Sequence, residues 1–106
     1  RTLADAMPQL VWTASPDGAV DWYNQRWLEY TGLADDALAG DGWRAVQHPD
    51  FVDEVVRRWA HAVGTGTPFE MEFPLRGRDG SYRWFLTRGR PLVGEDGRVA
   101  RWFGTN

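Results

Sequence analysis

Between Thr67 and Gly104, apolar and polar residues alternate in a way that predicts three antiparallel strands joined by two short turns. Phe69, Met71, Phe73 and Leu75 alternate with Glu70, Glu72, Pro74 and Arg76. A period of two puts the first set on one face of a strand and the second on the other. Asp79-Gly80 and Asp96-Gly97 mark the turns, where the backbone needs a positive φ that glycine adopts at little steric cost. Pro74 cannot donate to a ladder, so its strand is predicted at a sheet edge. Gly89 and Pro91 predict a bulge in the strand that follows. Such a sheet buries one face, and the rest of the chain must cover it.

The upstream pattern supplies that cover. Residues 1–8 carry Leu3, Ala6 and Met7 at helical spacing ahead of Pro8, which predicts a short amphipathic lead-in. Gln9 to Ala14 and Ala19 to Tyr23 are β-prone and flank the turn Ser15-Pro16-Asp17-Gly18. Asn24 is placed to cap a helix that presents Trp27, Tyr30 and Thr31 on one side and closes at Gly32. A second short helix is predicted over Ala34 to Ala39, stopped by Gly40, and an irregular stretch runs from Gly42 through His48.

Pro49 and Asp50 are predicted to start the main helix, which runs to about Val63. At 100° per residue Phe51, Val52, Val55, Val56, Trp59 and Val63 form one stripe, with Asp53, Glu54, Arg57, Arg58 and His61 opposite. Two strands, then helices, then three strands define an α+β domain with its helices packed over one sheet face.

Composition narrows the function. The 106 residues make one domain, 1–106, and seven Trp, five Phe and three Tyr supply its core. A net charge of −3 with both signs interspersed leaves no basic stripe for nucleic acid. The absence of Cys removes disulfides, thiolate metal sites and cysteinyl cofactors, and is consistent with a reducing, cytoplasmic setting. No apolar run approaches the ~18 residues of a membrane span. A start at Arg1 without Met is what a domain excised from a longer protein would show.

Five stretches carry a resemblance: PQLVWTASPDGAVDWYN, RWLEYTG, the HPD at 48–50, DGSYRWFLTRGRP and DGRVARWFGT. In this order, over nearly the whole chain, they resemble the PAS domain family, in the variant common in bacterial sensor histidine kinases. The resemblance implies a five-stranded antiparallel sheet in spatial order 2-1-5-4-3 and a pocket between sheet and helices. It also implies a sensory module that passes a change at a ligand, cofactor or partner to an output domain of the same chain through flanking helices. Pocket candidates are Trp27, Val56, Trp59, Met71 and Phe73. Candidates for a homodimer contact through the terminal helix and the sheet face are Leu3, Met7, Trp84 and Trp102.

The chemistry candidates divide cleanly. Haem needs a His on the long helix facing the pocket, yet His61 falls on the charged face, and His48 suits a helix start better than iron. A flavin–cysteine adduct is excluded because NQRWLEYTG has no Cys; a non-covalent flavin needs only aromatic contacts and a few hydrogen bonds. Trp12, Trp22, Trp27, Trp43, Trp59, Trp84 and Trp102 invite a cation cage, against which stands a division between core and outer sheet face. Asp35, Asp36 and Asp50, or Glu70 with Glu72, offer paired carboxylates for acid–base work, against which Glu70 and Glu72 share the strand's polar row and so face solvent rather than a cleft. Arg83, Arg88 and Arg90 read as an outer-face row that an anion would also suit. No nucleophile–base set, phosphate loop or metal-ligand cluster is present, so no catalysis is expected. Three readings follow: a ligand or cofactor sensor with a real cavity, a dimerisation module with a filled core, or a small enzyme lacking its polar set.

Overall fold

The computed structural model describes residues 8–106, so the amphipathic lead-in and the contact candidates Leu3 and Met7 lie outside the described residues. Strands β1 (Val11–Ala14) and β2 (Val20–Tyr23) form the opening hairpin. Helix α1 (Gln25–Thr31), the single turn α2 (Asp35–Leu38), a 3-10 helix (Gly42–Val46) and the long helix α3 (Val52–Thr65) follow. Strands β3 (Phe69–Arg76), β4 (Tyr82–Val93) and β5 (Val99–Thr105) complete one antiparallel sheet in the order β2-β1-β5-β4-β3. The expected order is the observed one, and Pro74 lies on the edge strand.

Directly paired residues share a face, so the registers sort the sheet into two rows. Phe69, Gly89, Gly104, Trp12 and Tyr23 are successive partners across all five strands on the inner face. The two glycines are there for the Trp12 indole, which lies over them: a Cβ built on Gly89 would sit 3.1 Å from its Cη2, and one on Gly104 would sit 2.0 Å from its Cε2 and Cζ2. This corrects the predicted bulge at Gly89 and Pro91. Both residues are paired in register, and the irregularity of β4 falls between Leu92 and Val93.

The hairpin turns form as the Asp-Gly pairs require. Gly80 and Gly97 take φ values of 85° and 80°. Asp79 Oδ1 accepts from the Ser81 amide at 3.0 Å, and Asp96 Oδ1 from the Arg98 amide at 2.9 Å. Hydrogen bonds from Ser81 hold the Asp79 carboxyl below the usual carboxylate range, as Ser15 and the Ala19 amide do for Asp17.

Two helix starts differ from expectation. Asn24 precedes α1, but its side chain does not cap the helix. It is wholly buried and completes the sheet end instead: Oδ1 accepts from the Val11 amide at 3.1 Å, and Nδ2 donates to the Gln9 carbonyl at 2.9 Å. Replacing Asn24 by Ala orphans both backbone groups, and we expect a loss of about 2–4 kcal/mol in urea unfolding. A loss below about 1 kcal/mol would show that the amide is dispensable.

Helix α3 begins at Val52 rather than at Pro49. His48, Pro49 and Asp50 form the turn before it, in which the His48 carbonyl accepts from the Phe51 and Val52 amides and its Nδ1 accepts from the Asp50 amide at 3.0 Å. The turn runs along the free edge of β3, where Gln47 bridges Leu75. From there His48 and Phe51 meet Tyr82 and Trp84 edge to face, beside the fully buried Pro74.

Helix α3 lies over the inner sheet face with Val55 and Ala62 buried and Trp59 half-buried at the centre of an aromatic cluster. Its ring meets Trp12, Phe69 and Trp102 edge to face at centroid distances of 5.4, 5.5 and 4.9 Å. Its Nε1 donates to the Gly18 carbonyl at 3.1 Å, which ties α3 to the β1–β2 turn. No helix among the described residues is long and apolar enough to cross a membrane.

Candidate functional site

Between the inner sheet face and the helical layer lies a cavity of about 50 Å³. The sheet side of its wall is Trp12, Val20, Tyr23, Phe69, Phe73 and Thr87, with Asn106 just beyond the end of β5. Trp27 closes it from α1, Trp43 and Gln47 from the 3-10 segment, and Val55 and Trp59 from α3. The strands contribute through inward alternation and α1 and α3 through one apolar stripe each.

The only ionisable group on this wall is the Tyr23 phenol. It donates to the Leu38 carbonyl at 2.7 Å, and burial, reinforced by the charge of Asp41, pushes its pKa well above the usual tyrosine value. It stays neutral at any physiological pH.

Four wall residues carry a buried polar atom without a partner: Trp27 Nε1, Trp43 Nε1, Gln47 Oε1 and Asn106 Oδ1. A buried group left unpaired costs about 1–3 kcal/mol, so native interiors rarely keep four of them in one place. The Asn106 amide is otherwise engaged, its Nδ2 donating to Thr87 Oγ1 at 2.5 Å. Its backbone exchanges two hydrogen bonds with Leu10, at 2.8 and 3.3 Å. One residue therefore touches the cavity, the centre of β4 and the segment just before β1.

The expected pocket residues divide. Trp27, Trp59 and Phe73 stand on the cavity wall, whereas Met71 is buried in the core beside it and Val56 packs against the core from α3. Of the contact candidates, Trp84 is on the outer face and 63 % exposed. Trp102 is corrected: it pairs with Ala14 and Pro91 in the inner row and is 0 % exposed, so it belongs to the core and not to an interface. The parity of β5 decides this, since Gly104 must face inward to admit the Trp12 ring.

The reading of the motifs missed Gln47, Thr87 and Asn106. Thr87 and Asn106 continue the inward alternation of Phe85 and of Trp102 with Gly104, a signal that β4 and β5 carried. Gln47 sits in an irregular stretch where no period applies.

The other chemistry candidates lie elsewhere. His61 is exposed on α3, and His48 faces the β3 edge. Glu70 and Glu72 are exposed on the outer face, where Glu70 pairs with Arg88 at 3.1 Å. Arg88 and Arg90 share that outer row, while Arg83 has the opposite parity. Among the described residues no three His, Asp or Glu side chains gather as a metal-binding group. Flavin and haem, the cofactors that the fold family raises, do not fit: the cavity is far below the ~300–1,000 Å³ of pockets for larger ligands, and no His faces it.

An antiparallel sheet in this order, with helices over one face and an aromatic cavity between them, defines the class. A family model described as PAS fold matches residues 20–106, and the chain belongs to that family. The uncharacterized protein y4lL of Sinorhizobium fredii is 42 % identical over 105 residues, which are 99 % of this chain and 13 % of that protein. The peroxide stress-activated histidine kinase mak1 of Schizosaccharomyces pombe is 31 % identical over 106 residues, 99 % of this chain and 6 % of the kinase. The N-terminal domain of a diguanylate cyclase with a PAS/PAC sensor from Marinobacter aquaeolei superposes with a TM-score of 0.79 at 18 % identity, covering 92 % of this chain and 91 % of that one. This last likeness bears on the fold alone. The chain thus spans a small part of the length of the curated relatives it matches.

Proposed function

We propose that this chain is the cytoplasmic sensory module of a bacterial signal-transduction protein of the histidine-kinase type. It converts the state of its aromatic cavity into a change at the paired ends of the domain, from which an output domain reads it. The observation that carries this reading is Asn106. Its Oδ1 is buried at the cavity without a partner, and its backbone is locked to Leu10. An event that engages that oxygen changes how firmly β5 ends, and so biases a two-state equilibrium at the exit from the domain.

The test is a fusion of the chain, continued after Asn106, to a histidine-kinase core stripped of its own sensor. Thr87→Val removes the oxygen to which Asn106 donates while keeping the volume of the side chain. The variant is expected to shift autophosphorylation by at least about 5-fold, the worth of one lost hydrogen bond of about 1 kcal/mol. Equal rates in two folded fusions would overturn the relay.

A second reading, a homodimerisation module without ligand, is favoured by one feature. Trp84, Leu86, Leu92 and Phe103 leave an exposed apolar outer face. Trp84→Ser with Leu86→Ser separates the two: it abolishes concentration-dependent association in sedimentation if that face holds the dimer, and leaves the cavity untouched.

A further inference from the structure

The same cavity says what kind of molecule suits it, an inference that rests on the sensory reading. Its wall is almost wholly carbon, built from four indoles, a phenol and two phenyl rings with Val20 and Val55. Flat rings are what such a wall receives, because aromatic faces and edges pack against one another with favourable geometry. No carboxylate, guanidinium or imidazole belongs to it, so a charged ligand would be buried without a counter-charge. A purely apolar ligand would leave the partnerless polar atoms as they are.

Those atoms come as two donors and two acceptors. One of each sits on a single short segment: Trp43 Nε1 and Gln47 Oε1, on residues 8 % and 7 % exposed. A hydroxyl or an amide both donates and accepts, and so serves such a pair with one group.

We propose that the cavity binds a small, uncharged aromatic molecule bearing a hydroxyl or amide group, with the ring among Trp12, Trp27 and Trp59 and the polar group at Trp43 and Gln47. At about 50 Å³ the cavity is smaller than the ~150 Å³ that admits a benzene ring, so the wall side chains must move apart to take the ligand.

The experiment uses three probes of similar shape on the purified chain, followed by 1H–15N NMR at pH 7: phenol, toluene and benzoate. Phenol is neutral at this pH, toluene lacks the polar group, and benzoate is charged. Saturable phenol binding is expected, with shifts concentrated on the indole N–H signals, and benzoate is expected not to bind. Gln47→Met and Trp43→Phe each weaken phenol by about 3- to 10-fold, the span of one neutral hydrogen bond, and leave toluene unchanged. Two variants guard against a local packing defect in either one, and unchanged thermal unfolding confirms that both fold.

The proposal is overturned if phenol does not saturate, if benzoate competes with it, or if the variants weaken toluene and phenol equally. Absence of phenol binding would leave the relay through Asn106 intact, since the Thr87→Val fusion tests that without any ligand.

Discussion

Truncating Trp102 to Ala is expected to lower stability by about 3–5 kcal/mol, the range for removing a large aromatic from a packed core. Trp102 is the largest of the fully buried side chains and sits on β5, the central strand. Its ring meets Trp59 at 4.9 Å, so its loss opens a void between sheet and α3 that only partial collapse can fill. Domains of this size are stable by about 5–15 kcal/mol, and the loss is a large share of that. Urea unfolding gives the value, provided the m-value is unchanged. Trp84→Ala is the control. Removed from the exposed outer face, it should cost less than about 1 kcal/mol. Similar losses for both tryptophans would contradict the assignment of faces.

Gly104→Ala should also destabilise, for the opposite reason. The added methyl would lie 2.0 Å from two atoms of the Trp12 ring, and that ring is held between Gly104, Gly89 and Trp59. Either the indole or β5 must move, and overpacking of this kind costs about 1–3 kcal/mol. Relief of the clash gives a sharper test. In Trp12→Leu the space over Gly104 opens, so the double variant should be more stable than the sum of the two single losses by about 1 kcal/mol or more. Strict additivity would mean that the Trp12 ring does not occupy the glycine slot.

These two positions show what was legible in the chain. The strands of the closing meander, the turns at Asp79-Gly80 and Asp96-Gly97, and the edge position of Pro74 follow from period and turn chemistry alone. Those signals are local. Gly89 was misread because a glycine within a strand has two explanations, a bulge or a close approach, and only the cross-strand register with Gly104 and Trp12 separates them. Asn24 was misread for a similar reason: an amide before a helix suits a cap, and the competing partners are Val11 on β1 and Gln9 just ahead of it. Trp102 needed the parity of β5, which nothing within VARWFGT fixes. The cavity was legible only in part. Trp27, Trp59 and Phe73 belong to clear stripes, whereas Gln47 and Asn106 matter through where distant elements bring them.

The central claim is that the cavity and the ends of the domain are joined through Asn106. The most direct measurement is amide hydrogen exchange on the folded chain, with and without Thr87→Val. The account predicts that the amides of Asn106 and Leu10, which close the pair at 2.8 and 3.3 Å, exchange about 5-fold faster in the variant, while Met71 and Phe73 on β3 keep their rates. Unchanged exchange at Asn106 and Leu10, or an equal acceleration at every amide, would contradict it.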